Sequence, residues 1–182
     1  MNICEIKDRI DRGEQVEYLF FWSHRPNPDG SIDKTCFSQW FDASFELSGI
    51  RYRTAEHYMM AEKTRLFDDR IILAEILAAK HPRQVQILGQ KIQNFQEEVW
   101  HAHRFQIVID GNTAKFGQNH LLKQFILSTR TQILVEASPD DRIWGIGLAA
   151  DCPNIENPNS WQGTNLLGFA LMEARSRLQF DR

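Results

Sequence analysis

The stretch from Thr54 to Leu127 constrains the architecture most, because it reads as one helix signal after another. Thr54 is placed to N-cap a helix from Ala55 to about Phe67, its hydroxyl taking an orphan N–H of the first turn. Asp68 is placed to cap the next, in which Ile72, Leu73, Ile76 and Leu77 form one apolar stripe up to Lys80. His81-Pro82 ends that helix, and Pro82 opens a short one that stops near Gly89. Phe95 to Ile109 has a helical pattern, although the β-branched Ile107-Val108-Ile109 ahead of Asp110-Gly111 also fits an extended end. Leu121 to Leu127 adds a further helix.

The flanks of this region complete the outline. Ile3, Ile6 and Ile10 recur at helical spacing before a stop at Gly13. Asn165 is placed to cap a last helix on which Leu167, Leu171, Ala174 and Leu178 share a face. Strand signals are few: Val16–Trp22, the buried run Thr131–Ala137, and a hairpin around Ser48-Gly49 between Ser44–Leu47 and Ile50–Tyr52. His24–Lys34 and most of Asp140–Thr164 are loop by their Pro, Gly and Asp content. The expected fold is mainly α with a small β element (α+β), in one compact domain over residues 1–182.

Composition removes several function classes. Lys plus Arg total 21 against 24 for Asp plus Glu, a net charge of −3, which argues against a strongly basic nucleic-acid binder. No run of about 18 apolar residues exists, so no membrane partner is expected. Cys4, Cys36 and Cys152 form no C-x-x-C pair, and the N-terminus has no apolar signal segment, so a reducing cytoplasmic setting is expected.

Metal and phosphate-loop motifs fail on spacing. His101-x-His103 points its two side chains apart on a helix, and Glu56-His57 lacks a second His; both read as partly exposed polar histidines. Gly145-x-Gly147 has no third glycine and reads as a tight turn. No metal and no cofactor are expected. The carboxylates are more informative. Glu136 ends the apolar run Ile133-Leu134-Val135, at the rim of a core where its pKa can be tuned. Asp140-Asp141 follows beyond a Ser138-Pro139 turn able to bring acids together. Paired acids are what glycosidic cleavage needs, one facing the oxocarbenium ion and one activating water. The plainer alternative is a turn capped by Asp, with Glu136 in solvent. Glu56 occupies the second position of its helix, where the helix field complements an acid and keeps it ionised. Trp100 is either core or a stacking platform.

These residues belong to longer motifs. Thr54-Ala55-Glu56-His57-Tyr58-Met59-Met60-Ala61-Glu62-Lys63 resembles the most recognisable motif of the NADAR, or YbiA-like, family. The resemblance continues through Phe67-Asp68-Asp69, Leu88-Gly89, Asn94-Phe95, Trp100 and Lys115-Phe116. It then takes in the run Leu134 to Gly147 and ends with Trp161 to Gly168, so that it spans about Leu19 to Leu178. The resemblance implies an N-glycosidase on a mainly helical fold with a small β element. It implies a small-molecule substrate whose N–C1′ bond joins a phosphoribosyl or ADP-ribosyl group to a base-like amine, such as an early riboflavin-biosynthesis intermediate. The alternatives are an ADP-ribosyl hydrolase acting on ADP-ribosylated guanine, where nucleic acid would enter only as substrate, and a non-catalytic nucleotide-sugar-binding module. Carried over by motif, Glu56, Glu136 and Asp141 are the catalytic candidates. Trp100, Lys63 and Asn165 are the substrate-binding ones, with Arg65 and Lys115 behind Lys63 as phosphate ligands. One departure is Gln39 in Phe37-Ser38-Gln39-Trp40, where many members carry Asn.

Overall fold

A computed structural model describes residues 1–180. Its elements in chain order are α1 (Ile3–Asp11), β1 (Tyr18–Phe21), a 3₁₀ turn (Lys34–Phe37), β2 (Phe45–Leu47), β3 (Ile50–Tyr52), α2 (Ala55–Leu66), α3 (Arg70–Ala78), α4 (Pro82–Gly89), α5 (Glu97–Gln118), α6 (His120–Ser128), β4 (Ile133–Glu136), a 3₁₀ turn (Pro158–Ser160) and α7 (Leu166–Phe180). The mainly helical α+β expectation holds.

Local chemistry explains most boundaries. The Thr54 hydroxyl accepts from the His57 N–H and starts α2. Ser48 and Gly49 both take positive φ, 52° and 74°, the turn geometry that suits a right-twisted hairpin of β2 and β3. The cap of α3 is Asp69 and not Asp68. Asp69 Oδ1 accepts from Ile72 N at 3.1 Å and Oδ2 from Gln93 N at 3.0 Å, while Asp68 turns through φ 51°. One carboxylate thus starts α3 and anchors the segment that leads into α5.

The larger departure is α5, which runs unbroken through Asp110-Gly111 to Gln118. A Cβ on Gly111 would lie within 2.5 Å of the Tyr58 ring. That glycine is the point where α5 approaches α2 closely, so tertiary packing overrides its turn propensity. α5 packs against both α2 and α7, and α7 packs on β4. The core lies between them, built from Phe21, Phe37, Ala61, Phe116, Leu134, Val135 and Leu171 among others.

β1 and β4 pair in parallel, Tyr18 with Ile133 through Phe21 with Glu136. Among the described residues the sheet has only these two strands, and β4 is buried at Ile133, Leu134 and Val135. Glu136 closes β4, near enough to Glu56 in the first turn of α2 for the two charges to interact. No helix among the described residues is long and apolar enough to cross a membrane.

Candidate active site

Three carboxylates from three separate elements meet in one place. Glu56 comes from the first turn of α2, Glu136 from the end of β4, and Asp141 from the loop after it. They lie close enough for the charge of Asp141 to act on both glutamates. Burial pushes the Glu56 carboxyl up to about 8, helped by the negative charge of Asp141 and opposed by the Lys63 ammonium and the Trp40 indole. Burial also pushes Glu136 up to about 8, with Asp141 and Glu56 adding to it. The helix field expected to keep Glu56 ionised is overridden: the side chain is only 4% exposed, and desolvation outweighs a partial charge at the helix end.

The loop that supplies Asp141 is held tightly. Asp141 Oδ1 accepts from the N–H groups of Ile143 and Trp144, each at 2.8 Å. Ile146 N donates to the Glu136 carbonyl at 3.0 Å and Gly147 N to the Asp141 carbonyl at 3.1 Å. The tight turn read from Gly145-x-Gly147 is there, with Gly147 at φ 68°. Asp141 therefore caps a turn with one oxygen, as the plainer reading expected, and its charge also acts on the other two acids. Asp140, its neighbour, is exposed.

Asn165 is wholly buried. Its Oδ1 accepts the Glu136 N–H at 2.9 Å, and its Nδ2 donates to the Leu134 carbonyl at 2.9 Å. Both ends of the amide bond to β4, so the side chain ties Glu136 and Leu134 to the start of α7. It sits at φ 53°, and it does not cap α7 with its side chain as the sequence led us to expect. A Cβ on Gly168 would run into the Leu134 carbonyl and this amide, so α7 packs against β4 here with no room to spare.

Lys63 borders the acids. Its Nζ donates to the Gly89 carbonyl at 3.0 Å and lies 4.4 Å from the Phe95 ring centroid and 5.6 Å from that of Trp100. Burial lowers its pKa, and Glu56 raises it. Trp100 is 8% exposed, part of the core, with its ring turned towards Lys63. Arg65 is engaged in an ion pair with Glu62. Lys115, offered above as a phosphate ligand, is not available: it is fully buried and donates to the Cys36 and Ser38 carbonyls at 2.7 and 2.9 Å. Its ammonium secures the first 3₁₀ turn to α5, and burial lowers its pKa to about 8. His57 is also buried, bonded to Thr54 and to the Ala79 carbonyl, whereas the reading above had it partly exposed.

Sequence reasoning passed over Trp40 and gave Gln39 only as a departure. The Gln39 carbonyl accepts the Glu56 N–H at 2.9 Å, and the Trp40 ring lies tilted against that of His24 with centroids 5.5 Å apart. No spacing rule links positions 39 and 40 to Glu56, because the β2–β3 hairpin separates them. The open clefts lie elsewhere: one of about 640 Å³ runs over Gln96, Glu97, Glu98 and His101, and another of about 370 Å³ borders Phe105, Phe169 and Arg177. The carboxylates outrank these by chemistry, since three interacting acids, Glu56 buried and Glu136 and Asp141 partly buried, mark a functional site more strongly than an open groove does. No group of three His, Cys, Asp or Glu side chains among the described residues is arranged to hold a metal ion.

The family model for the NADAR domain matches residues 20–179. The chain belongs to the NADAR family. This NADAR protein is 40% identical over 171 residues to N-glycosidase R617 of Acanthamoeba polyphaga mimivirus, covering 91% of this chain and 99% of the viral one. It is 33% identical over 132 residues to the riboflavin biosynthesis protein PYRR of Zea mays, covering 69% of this chain and 19% of the maize chain. The solution structure of E. coli YbiA superposes with a TM-score of 0.72 at 27% identity, over 92% of this chain and 88% of that one.

Proposed function

We infer that this NADAR protein is an N-glycosidase, a hydrolase that cleaves the N–C1′ bond between a phosphate-bearing ribosyl group and a base-like amine. The observation that carries this reading is the meeting of Glu56, Glu136 and Asp141 in a partly buried cluster where desolvation and mutual charge push both glutamates up to about 8. Breaking the bond leaves positive charge on C1′ and the ring oxygen and negative charge on the departing base. An acid still protonated at neutral pH can supply the base with its proton, and Glu56 and Glu136 both meet that condition. The negative charge of Asp141 then faces the oxocarbenium ion from within a low-dielectric site, where such stabilisation is largest. Water is activated by whichever glutamate has given up its proton. Lys63 is the cation we assign to the substrate phosphate, and Trp100 the ring we assign to its base or sugar.

The viral relative supports the reaction class, since its name is N-glycosidase. The maize relative is named a riboflavin biosynthesis protein, which supports a substrate from that chemistry, and the one we assign is a phosphoribosylamino-pyrimidine. The test is incubation with such a pyrimidine and, separately, with DNA carrying ADP-ribosylated guanine, with released base read by mass spectrometry. Release from the pyrimidine supports the reading. Release from DNA alone moves the substrate to the ADP-ribosyl class, and release from neither overturns both.

A further inference from the structure

His57 has no part in the chemistry above, yet its ring is 2% exposed and both of its nitrogens are engaged. Nε2 lies 3.2 Å from the carbonyl of Ala79, the residue that closes α3. A carbonyl oxygen can only accept, so Nε2 carries the ring proton and Nδ1 keeps its lone pair. Burial lowers the pKa of His57, which favours this neutral ring. The Thr54 hydroxyl, 2.8 Å from Nδ1, must then donate to it. The same oxygen accepts the His57 N–H, the bond that caps α2. One order of protons satisfies all three contacts. Thr54 is itself 1% exposed, which shuts solvent out of the arrangement. The ring thus fixes the direction of the cap and ties the first turn of α2 to the end of α3.

That turn carries Glu56. The His57 ring is spent on Thr54 and α3, so its effect on the acid passes through the backbone of α2. Glu56 depends on that backbone for its aim. Among the described residues its carboxyl joins no ion pair, and its side-chain hydrogen bond comes from the Trp40 indole. We propose that His57 is a positioning residue: with its ring proton on Nε2 it sets the Thr54 cap, and through the cap it holds the Glu56 carboxyl with Glu136 and Asp141. The proposal rests on the N-glycosidase reading only for what a change in rate means. The placement of Glu56 is read without turnover.

Asn and Gln divide the two contacts of the ring. The amide oxygen of Asn falls where Nδ1 lies, and the amide nitrogen of Gln falls where Nε2 lies. His57→Asn therefore keeps an acceptor for the Thr54 hydroxyl and gives up Ala79, and His57→Gln does the reverse. The Glu56 carboxyl is titrated by carbon NMR on the full chain, in wild type and both variants, with its signal assigned from Glu56→Gln. His57→Gln should lower the Glu56 midpoint by about one pH unit or more, as the carboxyl leaves its desolvated place. On the pyrimidine substrate kcat should fall about 10–100-fold while KM stays within about threefold. His57→Asn should recover most of both losses. If His57→Gln fails to melt cooperatively, Thr54→Val decides instead. It should reproduce the lowered midpoint, and adding His57→Asn to it should move Glu56 no further. A midpoint unmoved by His57→Gln and by Thr54→Val, or an Asn variant as impaired as the Gln one, makes the ring a tie between two helices only and overturns the proposal. A wild type that releases base from neither substrate overturns the N-glycosidase reading alone, and the titration still decides whether His57 holds Glu56.

Discussion

Replacing Asn165 should damage activity and stability together, in amounts that follow from its two hydrogen bonds. The side chain is fully buried and supplies the only acceptor shown for the Glu136 N–H, at 2.9 Å, and a donor to the Leu134 carbonyl, at 2.9 Å. Asn165→Gly keeps the φ of 53° without strain and deletes both bonds. Orphaning a buried polar group costs roughly 1–3 kcal/mol, so two give about 2–6 kcal/mol. Asn165→Ala adds the strain of a Cβ in the left-handed region, about 1 kcal/mol more. Asn165→Asp keeps the acceptor for Glu136 but sets an oxygen against the Leu134 carbonyl and a new charge beside the acids, and should be the worst of the three. Urea unfolding with an unchanged m-value reads these losses. Turnover, corrected for folded fraction, should fall about 100-fold in Asn165→Gly, since freeing the end of β4 misplaces Glu136 by something like an ångström. A Gly variant within about 0.5 kcal/mol of wild type, turning over at the wild-type rate, would show that Asn165 does not hold the catalytic strand.

Lys115→Met should destabilise the chain by about 2–4 kcal/mol in urea, because the Cys36 and Ser38 carbonyls lose their donor. Its turnover per folded molecule should stay within about threefold of wild type; a selective loss of phosphate affinity would instead make Lys115 a ligand. Trp100→Ala should weaken substrate binding or turnover by about 1–3 kcal/mol, with Trp100→Phe recovering part of it. A folded Ala variant with wild-type kinetics would confine Trp100 to the core. Hydrolysis should persist after exhaustive chelation, and activity abolished by EDTA and restored by one divalent ion would contradict the carboxylate mechanism.

How far the sequence could be read depended on whether a feature was local. The α2 cap at Thr54, the Ser48-Gly49 turn and the Pro82 start depend on neighbouring residues, and they appear where the sequence placed them. Asp110-Gly111 misled because the reason for the glycine, the Tyr58 ring, lies more than fifty positions away on α2. The three acids were named through motif resemblance, but the raised pKa of Glu56 and Glu136 was not. The helix-end argument for an ionised Glu56 used only its own helix, whereas desolvation and the charge of Asp141 come from the assembled fold. Asn165 and Lys115 carry polar side chains that motif reading assigned to the pocket. Which backbone groups they would satisfy became visible only once α7 met β4 and the first 3₁₀ turn met α5. Gln39 and Trp40 approach Glu56 across the hairpin, a juxtaposition with no sequence period.

The central claim is that Glu56, Glu136 and Asp141 are held together for catalysis and not for stability. The most direct measurement pairs turnover with thermal melting on Glu56→Gln, Glu136→Gln and Asp141→Asn between pH 5 and 9. Folding raises Glu56 and Glu136 from 4.5 to about 8. The folded state therefore binds their protons more tightly. The stability linked to them is full below about 4.5 and is lost as pH rises through 8, at no more than about 1.4 kcal/mol per pH unit for each group. Gln cannot ionise, so both Gln variants should melt at or above wild type at pH 8 to 9 and lose part of that downward slope. In the same samples, turnover should fall about 10²–10⁴-fold. Stability that rises while activity collapses is the predicted signature. Variants that turn over at close to the wild-type rate, or that lose activity only in proportion to a lower melting temperature, would contradict it.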